Sequence, residues 1–466
     1  MINKLLQKKS LPIVLKLVML PVFIGLMVIG FMAHSTDAAI LKELRNTNLA
    51  NLLVWSYWWP LIILSAIVFG RIWCMVCPAE LITSFFSKNG LRLRRPQWLL
   101  SGWAISIFYL IILIIGLNIF AIHRNPAYMA AYLSAIMLSA IIIGFLFEKN
   151  TFCAYVCPVG YLLGVYARIA PWGWRVKNAS VCESCIDKSC ISKDYHYAMN
   201  VKSCGVDLYP PKISDNSECI LCAGCLKSCK EHQSETHAER PNPGFVKVGF
   251  ADGLYKGQIL HMAEWFFLFI VSGFVIYEIL SEFKAAKALL LFIPDFVSNS
   301  LGIKSAIMSS IIQSLYLFFF LPAIFWFFPY LILRMGKTRI SLNHYLRYFG
   351  LAFIPLVAAA HVCKSILKAV SRIPYFEHLS VDYTGKVTTQ LLLQKDIVLS
   401  PLPAWTDLLI SIVLTMVLMA GFLLSLKVIK RVMKRLSPQA TGNAWLWISL
   451  PYFLVFFICI ILWRWL

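Results

Sequence analysis

The stretch Cys219-Ile220-Leu221-Cys222-Ala223-Gly224-Cys225-Leu226-Lys227-Ser228-Cys229 sets four thiols at the spacing C-x2-C-x2-C-x3-C. Three thiols two residues apart wrap one corner of a four-iron four-sulfur (4Fe-4S) cubane, while the fourth is turned away and serves a second cluster. That geometry predicts a partner motif. Upstream, Cys182, Cys185 and Cys190 supply three more thiols at C-x2-C-x4-C, and Cys204 follows after a further thirteen residues. Cross-ligation then predicts one cluster on Cys182, Cys185, Cys190 and Cys229, and another on Cys219, Cys222, Cys225 and Cys204. Two all-thiolate zinc sites are the alternative for eight cysteines. A zinc ribbon, however, separates its two C-x2-C knuckles and does not crowd three thiols together.

Outward from this stretch the chain changes character. Of 466 residues, 59% are hydrophobic and only 14% charged, with a mean hydropathy of +0.73. No water-soluble domain carries that composition on its surface, so the bilayer is the main solvent. A formal charge of +21 raises the question of nucleic acid. The basic residues sit in short loops beside apolar runs, which is topology and not a nucleic-acid surface. Twelve of the fourteen cysteines lie between Cys74 and Cys229, and only Cys363 and Cys459 lie beyond.

About nine spans are expected. Four precede the cysteine segment, near 11–33, 51–70, 98–122 and 129–147, and five follow it, near 257–280, 305–333, 345–367, 404–426 and 443–465. The first run has a basic flank and is long for a signal-peptide core, so it reads as a retained span. The polar stretch 174–256 is the one sizeable soluble domain. It divides the chain into a membrane domain 1–173, an inserted α+β cysteine domain 174–256 and a second membrane domain 257–466. Basic loops at 334–339 and 427–435 place the cysteine domain on the cytoplasmic side and the 377–396 stretch outside. The segment 283–300, with Pro294 and Asp295, reads as too broken to cross and is expected along the outer interface.

Two further thiol pairs sit at the inner ends of spans: Cys74-Met-Val-Cys77-Pro78 and Cys153-Ala-Tyr-Val-Cys157-Pro158. They suggest duplication of a two-helix unit. Pro78 and Pro158 are placed to start helices, whose dipoles would stabilise thiolates, so Cys74, Cys77, Cys153 and Cys157 are candidate redox or metal-binding thiols. Small interfacial packing residues are the plain alternative.

Duplicated Cys-Pro motifs followed by a double-cluster ferredoxin segment resemble the NapH/NosR/CcoG-type membrane ferredoxins over residues 50 to 250. The resemblance implies a polytopic helical protein of the bacterial cytoplasmic membrane with an inserted bacterial-ferredoxin-like domain. It also implies electron delivery from a quinol or cytoplasmic donor to a membrane or extracytoplasmic redox partner, or copper reduction in an assembly factor. Two departures stand out. The pair at Cys74 has one residue fewer than the pair at Cys153, and beyond Gly257 no motif of the family appears. A redox-sensing regulator is a third reading, for which no signalling domain is visible.

Weaker signals remain. His261, His344 and His361 lie in or near spans and are candidate ligands of haem b or a metal, but hydrogen-bonded buried histidines are commoner and no four-histidine spacing appears. His361 with Cys363 is a second low-specificity metal candidate. Glu264 and Glu278 fall in the fifth span, where a carboxylate is costly and suggests a proton or quinone site. Most tryptophans flank spans as an interfacial belt.

Overall fold

The structure is a computed structural model and describes residues 2–8, 11–35, 37–186, 188–192, 203–231, 241–335, 340–436 and 447–465. Among the described residues seven helices are long and apolar enough to cross a membrane: Leu11–Met32, Leu49–Phe69, Pro126–Leu146, Met262–Leu280, Ala306–Met335, Leu342–Leu379 and Ala404–Leu436. Without water to satisfy its amide groups, a lipid-exposed backbone must bond internally, and uncharged runs of about 20 residues form helices for that reason. At the other two expected positions the apolar helices are shorter, Trp103–Ile119 and Leu450–Trp465.

The chain folds into two compact units. The first is Met1–Gly25, Ile62–Ile105 and Leu133–Gln258, and the second is Leu26–Leu61, Ser106–Tyr132 and Ile259–Leu466. The cysteine segment thus shares a unit with both Cys-Pro motifs, a grouping by space that differs from a division by sequence order.

In the first unit, strand β1 (Trp172–Val176) pairs antiparallel with β2 (Pro243–Lys247), Trp174 facing Phe245. This ribbon closes the base of the cysteine segment, because its two strands are the segment's entry and exit. The Asn3 side chain donates to the Phe245 carbonyl at 3.0 Å and accepts from its N–H at 2.8 Å. Trp174, Met75, Leu221, Leu226 and Phe245 form the apolar core beneath. Among the described residues of the cysteine segment this ribbon is the only sheet, accompanied by the short helices Ala179–Glu183 and Gly224–Glu231.

In the second unit, Leu342–Ser371 is the central helix, packed against Ala404–Leu436 and Met262–Leu280. Gly421 lets two of these backbones approach, since a methyl group there would meet Ala359 and the Pro355 carbonyl. Trp326 stacks on Phe353 at 4.0 Å between ring centroids and donates its indole N–H to Ser272 Oγ at 3.0 Å. The segment expected to be broken at Pro294 is instead one helix, Lys284–Ser300. Ala286, Leu290, Pro294 and Ser298 recur every fourth residue as its buried stripe, so the proline lies on the packed face and tertiary contacts hold the helix through it.

Candidate metal centre

The C-x2-C-x2-C turn is built on backbone strain. Leu221 (φ 53°) and Ala223 (φ 59°) both occupy the left-handed region, which costs non-glycine residues about 1–2 kcal/mol each. Alternating with ordinary conformations, they curl the chain so that its thiols face one side. Cys204, Cys219, Cys222 and Cys225 then line a single small cavity, walled otherwise by residues that include Trp174, Ile213 and Ile220, with no carboxylate among the described lining residues. Two N–H groups aim at its sulfurs: Trp174 Nε1 donates to Cys225 Sγ at 2.9 Å and the Leu208 amide to Cys204 Sγ at 3.3 Å. Burial, then the charges of neighbouring thiols, pushes Cys204 up to about 11 and Cys219 up to about 12, and raises Cys225 as well. Such thiols stay protonated until a cation takes the proton's place.

Cys182, Cys185, Cys190 and Cys229 form a second group, nearer solvent, with Cys185 exposed. Burial first, then Cys182, Cys185 and Cys229, raises Cys190 to about 12. Asn242 Nδ2 donates to Cys182 Sγ at 3.0 Å, while its Oδ1 accepts the Asn178 amide at 2.9 Å, so the side chain is held between chain and sulfur. The Cys204 amide donates to the Cys190 carbonyl at 2.7 Å and joins the two groups.

The two Cys-Pro motifs come together as a third group. Cys77 and Cys157 are the N-caps of the helices Pro78–Asn89 and Pro158–Ala167, and Cys157 Sγ accepts the Gly160 amide at 3.4 Å. Cys77, Cys153 and Cys157 share one packed cluster, whereas Cys74 packs with Cys204, Ile220 and Cys222 of the first group. The expectation of dipole-stabilised thiolates needs correction. Burial is the largest influence and the neighbouring thiols add to it, so Cys157 rises to about 11 and Cys77 and Cys153 rise too, against the helix N–H bonds to Cys77 and Cys157. Arg71, 4% exposed, ties this group to the cysteine segment. Its guanidinium donates to the Ser217 carbonyl at 3.2 Å, the Glu218 carbonyl at 3.3 Å and the Cys153 carbonyl at 3.2 Å. Burial alone would lower its affinity for the proton, but the neighbouring sulfurs of the Cys-Pro motifs outweigh burial and raise it. Nearby, Glu80 ion-pairs with Lys16 and accepts from Asn150 at 2.8 Å.

Among the described residues no three His, Cys, Asp or Glu side chains are gathered around a single metal ion. The donor set of soft thiols, amide donors and apolar walls fits an iron-sulfur cluster.

The other candidates have structural partners. His261 caps Met262–Leu280, its ring accepting the Glu264 amide while the Glu264 carboxylate accepts the His261 amide at 2.9 Å. His361 is buried and accepts the Trp59 indole N–H at 3.1 Å. His344 is exposed in the first turn of the central helix, 17 residues or about 25 Å of helix from His361. Cys363 points at the Leu414 carbonyl at 3.5 Å, and Glu278 pairs with Lys364 at 3.4 Å. Sequence reasoning missed Arg71, Trp174 and Asn242, whose roles depend on long-range contacts; a buried arginine just before a Cys-Pro motif was the one readable sign.

Residues 51–101 and 130–179 each match the 4Fe-4S binding domain family, and each match brackets one Cys-Pro pair. The chain is thus mostly helical, with helices long and apolar enough to cross a membrane and two segments similar to a 4Fe-4S binding domain family. Over 176 residues the chain is 24% identical to an uncharacterized protein of Methanocaldococcus jannaschii, covering 36% of this chain and 65% of that one. Over 144 residues it is 28% identical to a protein of Escherichia coli named "Putative electron transport protein YccM", covering 30% and 36% respectively. The chain thus spans less than two thirds of either relative. No solved structure matches it.

Proposed function

We propose that this chain is a membrane-bound electron-transfer protein with three adjoining cysteine ligand sets. These are Cys182, Cys185, Cys190 and Cys229; then Cys204, Cys219, Cys222 and Cys225; then the Cys-Pro thiols Cys74, Cys77, Cys153 and Cys157. One observation carries the reading: the sets form a row, with the Cys204 amide on the Cys190 carbonyl at one junction and Cys74 packed on Cys204 and Cys222 at the other. The E. coli relative named for electron transport agrees with it.

Clusters held by these thiols supply one-electron transfer. The chain's part is to hold and insulate them. Trp174 and Asn242 orient ligating sulfurs, Arg71 offsets negative charge between the second and third sets, and the surrounding apolar core excludes water. The row leads from an exposed thiol, Cys185, to buried thiols at helix ends, which suits a donor on the cytoplasmic side or in the quinol pool and an acceptor in the membrane or beyond it. Copper bound and reduced by the Cys-Pro thiols is the second reading; the 4Fe-4S family matches over those motifs favour iron.

Anaerobic purification with iron and acid-labile sulfide analysis tests this. About twelve irons per chain are expected, four for each of three sets, falling to about eight in the double variant Cys153→Ser, Cys157→Ser with the rest of the absorption near 400 nm intact. About eight irons in the wild type, with copper lost on the same substitutions, would support the copper reading. A colourless, zinc-loaded protein would end both.

A further inference from the structure

The second unit contains a cavity of about 650 Å³ that the electron-transfer reading does not use. Helix ends meet there: Ala38–Thr47, the loop at His123 and Arg124, the start of Lys284–Ser300 and the last two turns of Leu342–Ser371. Eight cationic side chains line it against two carboxylates, Glu278 and Glu282. A single cation, the buried Lys364, engages both carboxylates and also donates to the Glu278 carbonyl at 2.8 Å. Seven cations then face the same space, among them Arg45, Arg124, Lys287, Lys368 and Arg372, and no other carboxylate is among the described lining residues.

Like charges gathered around one low-dielectric space repel one another, and the fold tolerates that only where a counter-charge enters. The polar atoms point the same way. Arg45 Nε, Trp55 Nε1 and His123 Nδ1 are buried on lining residues without a protein partner, whereas buried polar groups are ordinarily satisfied. Arg45 Nε and Trp55 Nε1 are obligate donors and His123 Nδ1 can serve as one, so an oxyanion is the complementary ligand. Burial, with the charges of Arg372 and Arg124, lowers the Arg45 guanidinium from its ordinary value, a stress that an anion would relieve. The size argues against a bare inorganic ion: a cavity of this volume is in the range that holds an organic ligand. Trp55, Phe120, Tyr128 and Tyr277 give it apolar wall as well as charge.

We propose that this cavity binds a phosphate-bearing polyanion with an organic body, its charge met by Arg45, Arg124, Lys368 and Arg372 and its body lying against Trp55 and Tyr128. An anionic phospholipid headgroup and a soluble phosphate ester share that chemistry, and the test distinguishes them.

The full-length protein, in neutral detergent, is melted with fructose 1,6-bisphosphate, with phosphatidylglycerol or with phosphatidylcholine, at matched ionic strength. The cluster absorption near 400 nm reports separately that the first unit is intact. A melting temperature raised by several degrees with phosphatidylglycerol alone identifies a lipid headgroup. The same rise with fructose 1,6-bisphosphate identifies a soluble phosphate ester. In either case the double variant Arg45→Gln, Lys368→Gln weakens binding at least tenfold. Arg124→Gln, an exposed change that does not threaten folding, weakens it severalfold. Equal melting with all three additives, or binding indifferent to Arg124→Gln, overturns the proposal without touching the cluster assignment.

Discussion

Trp174 offers the sharpest probe of the cluster assignment, because its indole N–H reaches a single thiol of the proposed ligand set, Cys225 Sγ, at 2.9 Å. Trp174→Phe removes that donor and keeps most of the ring's volume in a site that is 1% exposed. A hydrogen bond to a charged acceptor is worth about 1.5–3 kcal/mol in total. One-electron reduction spreads its added charge over all the sulfurs of a cubane, so the difference between oxidised and reduced forms is only a fraction, roughly 0.5–1 kcal/mol. At 59 mV per tenfold change for one electron, this corresponds to about 20–40 mV. The donor favours the more negative, reduced form, so its loss lowers the potential. Redox titration followed by electron paramagnetic resonance should show one wave displaced downward by that amount at unchanged iron content. Asn242→Ala, which strips the donor from Cys182 Sγ at 3.0 Å, should move a different wave. The reasoning fails if Trp174→Phe, fully loaded with iron, leaves every wave within about 10 mV. It fails equally if both substitutions move the same wave, because Cys182 and Cys225 would then serve one cluster.

Three other outcomes follow from the geometry. Arg71→Gln removes a cation holding three carbonyls across the junction between motifs, and a loss on the order of 3–5 kcal/mol is expected; thermal melting near wild type would show the guanidinium to be dispensable. Gly164→Ala drives a methyl group against the Ser217 carbonyl, just before Cys219, so a destabilisation of about 1–3 kcal/mol should come with partial iron loss; full iron content with unchanged melting would contradict that packing. Burial lowers His123 to about 3, so the unfolded chain takes up the proton first as pH falls below about 6.5, and the stability given by the neutral ring declines from there down through pH 3. At pH 5 the loss should be on the order of 1 kcal/mol after solvent screening and should vanish in His123→Gln, which melting at pH 7 and pH 5 would reveal.

What was legible in the sequence depended on how far apart the cooperating residues lie. Cys219, Cys222 and Cys225 belong to one turn, so spacing alone announced them, and uncharged runs of 20 or more residues announced helices because lipid leaves the backbone no alternative. The convergence of Cys74 and Cys77 with Cys153 and Cys157 was not legible. The duplication was visible, but whether two copies of a motif face each other depends on packing around Ala79, Ala140 and Phe152. Helix dipoles at Pro78 and Pro158 pointed toward reactive thiolates, yet burial outweighs them once Cys77, Cys153 and Cys157 share one apolar site. Pro294 was over-read for the same reason, since a proline's effect on a helix depends on which face is packed.

The basic cavity shows the limit most clearly. Its cations come from residues 42–45, 124, 284–287 and 364–372, four stretches that in sequence look like span-flanking charges. Lys364, Lys368 and Arg372 nevertheless recur at every fourth residue, a period that sets all three on one face of the helix that ends beyond Lys368. Flanking charges serving only topology have no reason to keep a helical period, because the charge bias across a membrane depends on how many cations a loop carries and not on their angular position. A cation stripe in register with Arg45 and Arg124 from other segments therefore carries information that a count does not: Lys364 answers Glu278 and Glu282, and the most direct explanation of the remaining cations is a ligand whose negative charge they reach.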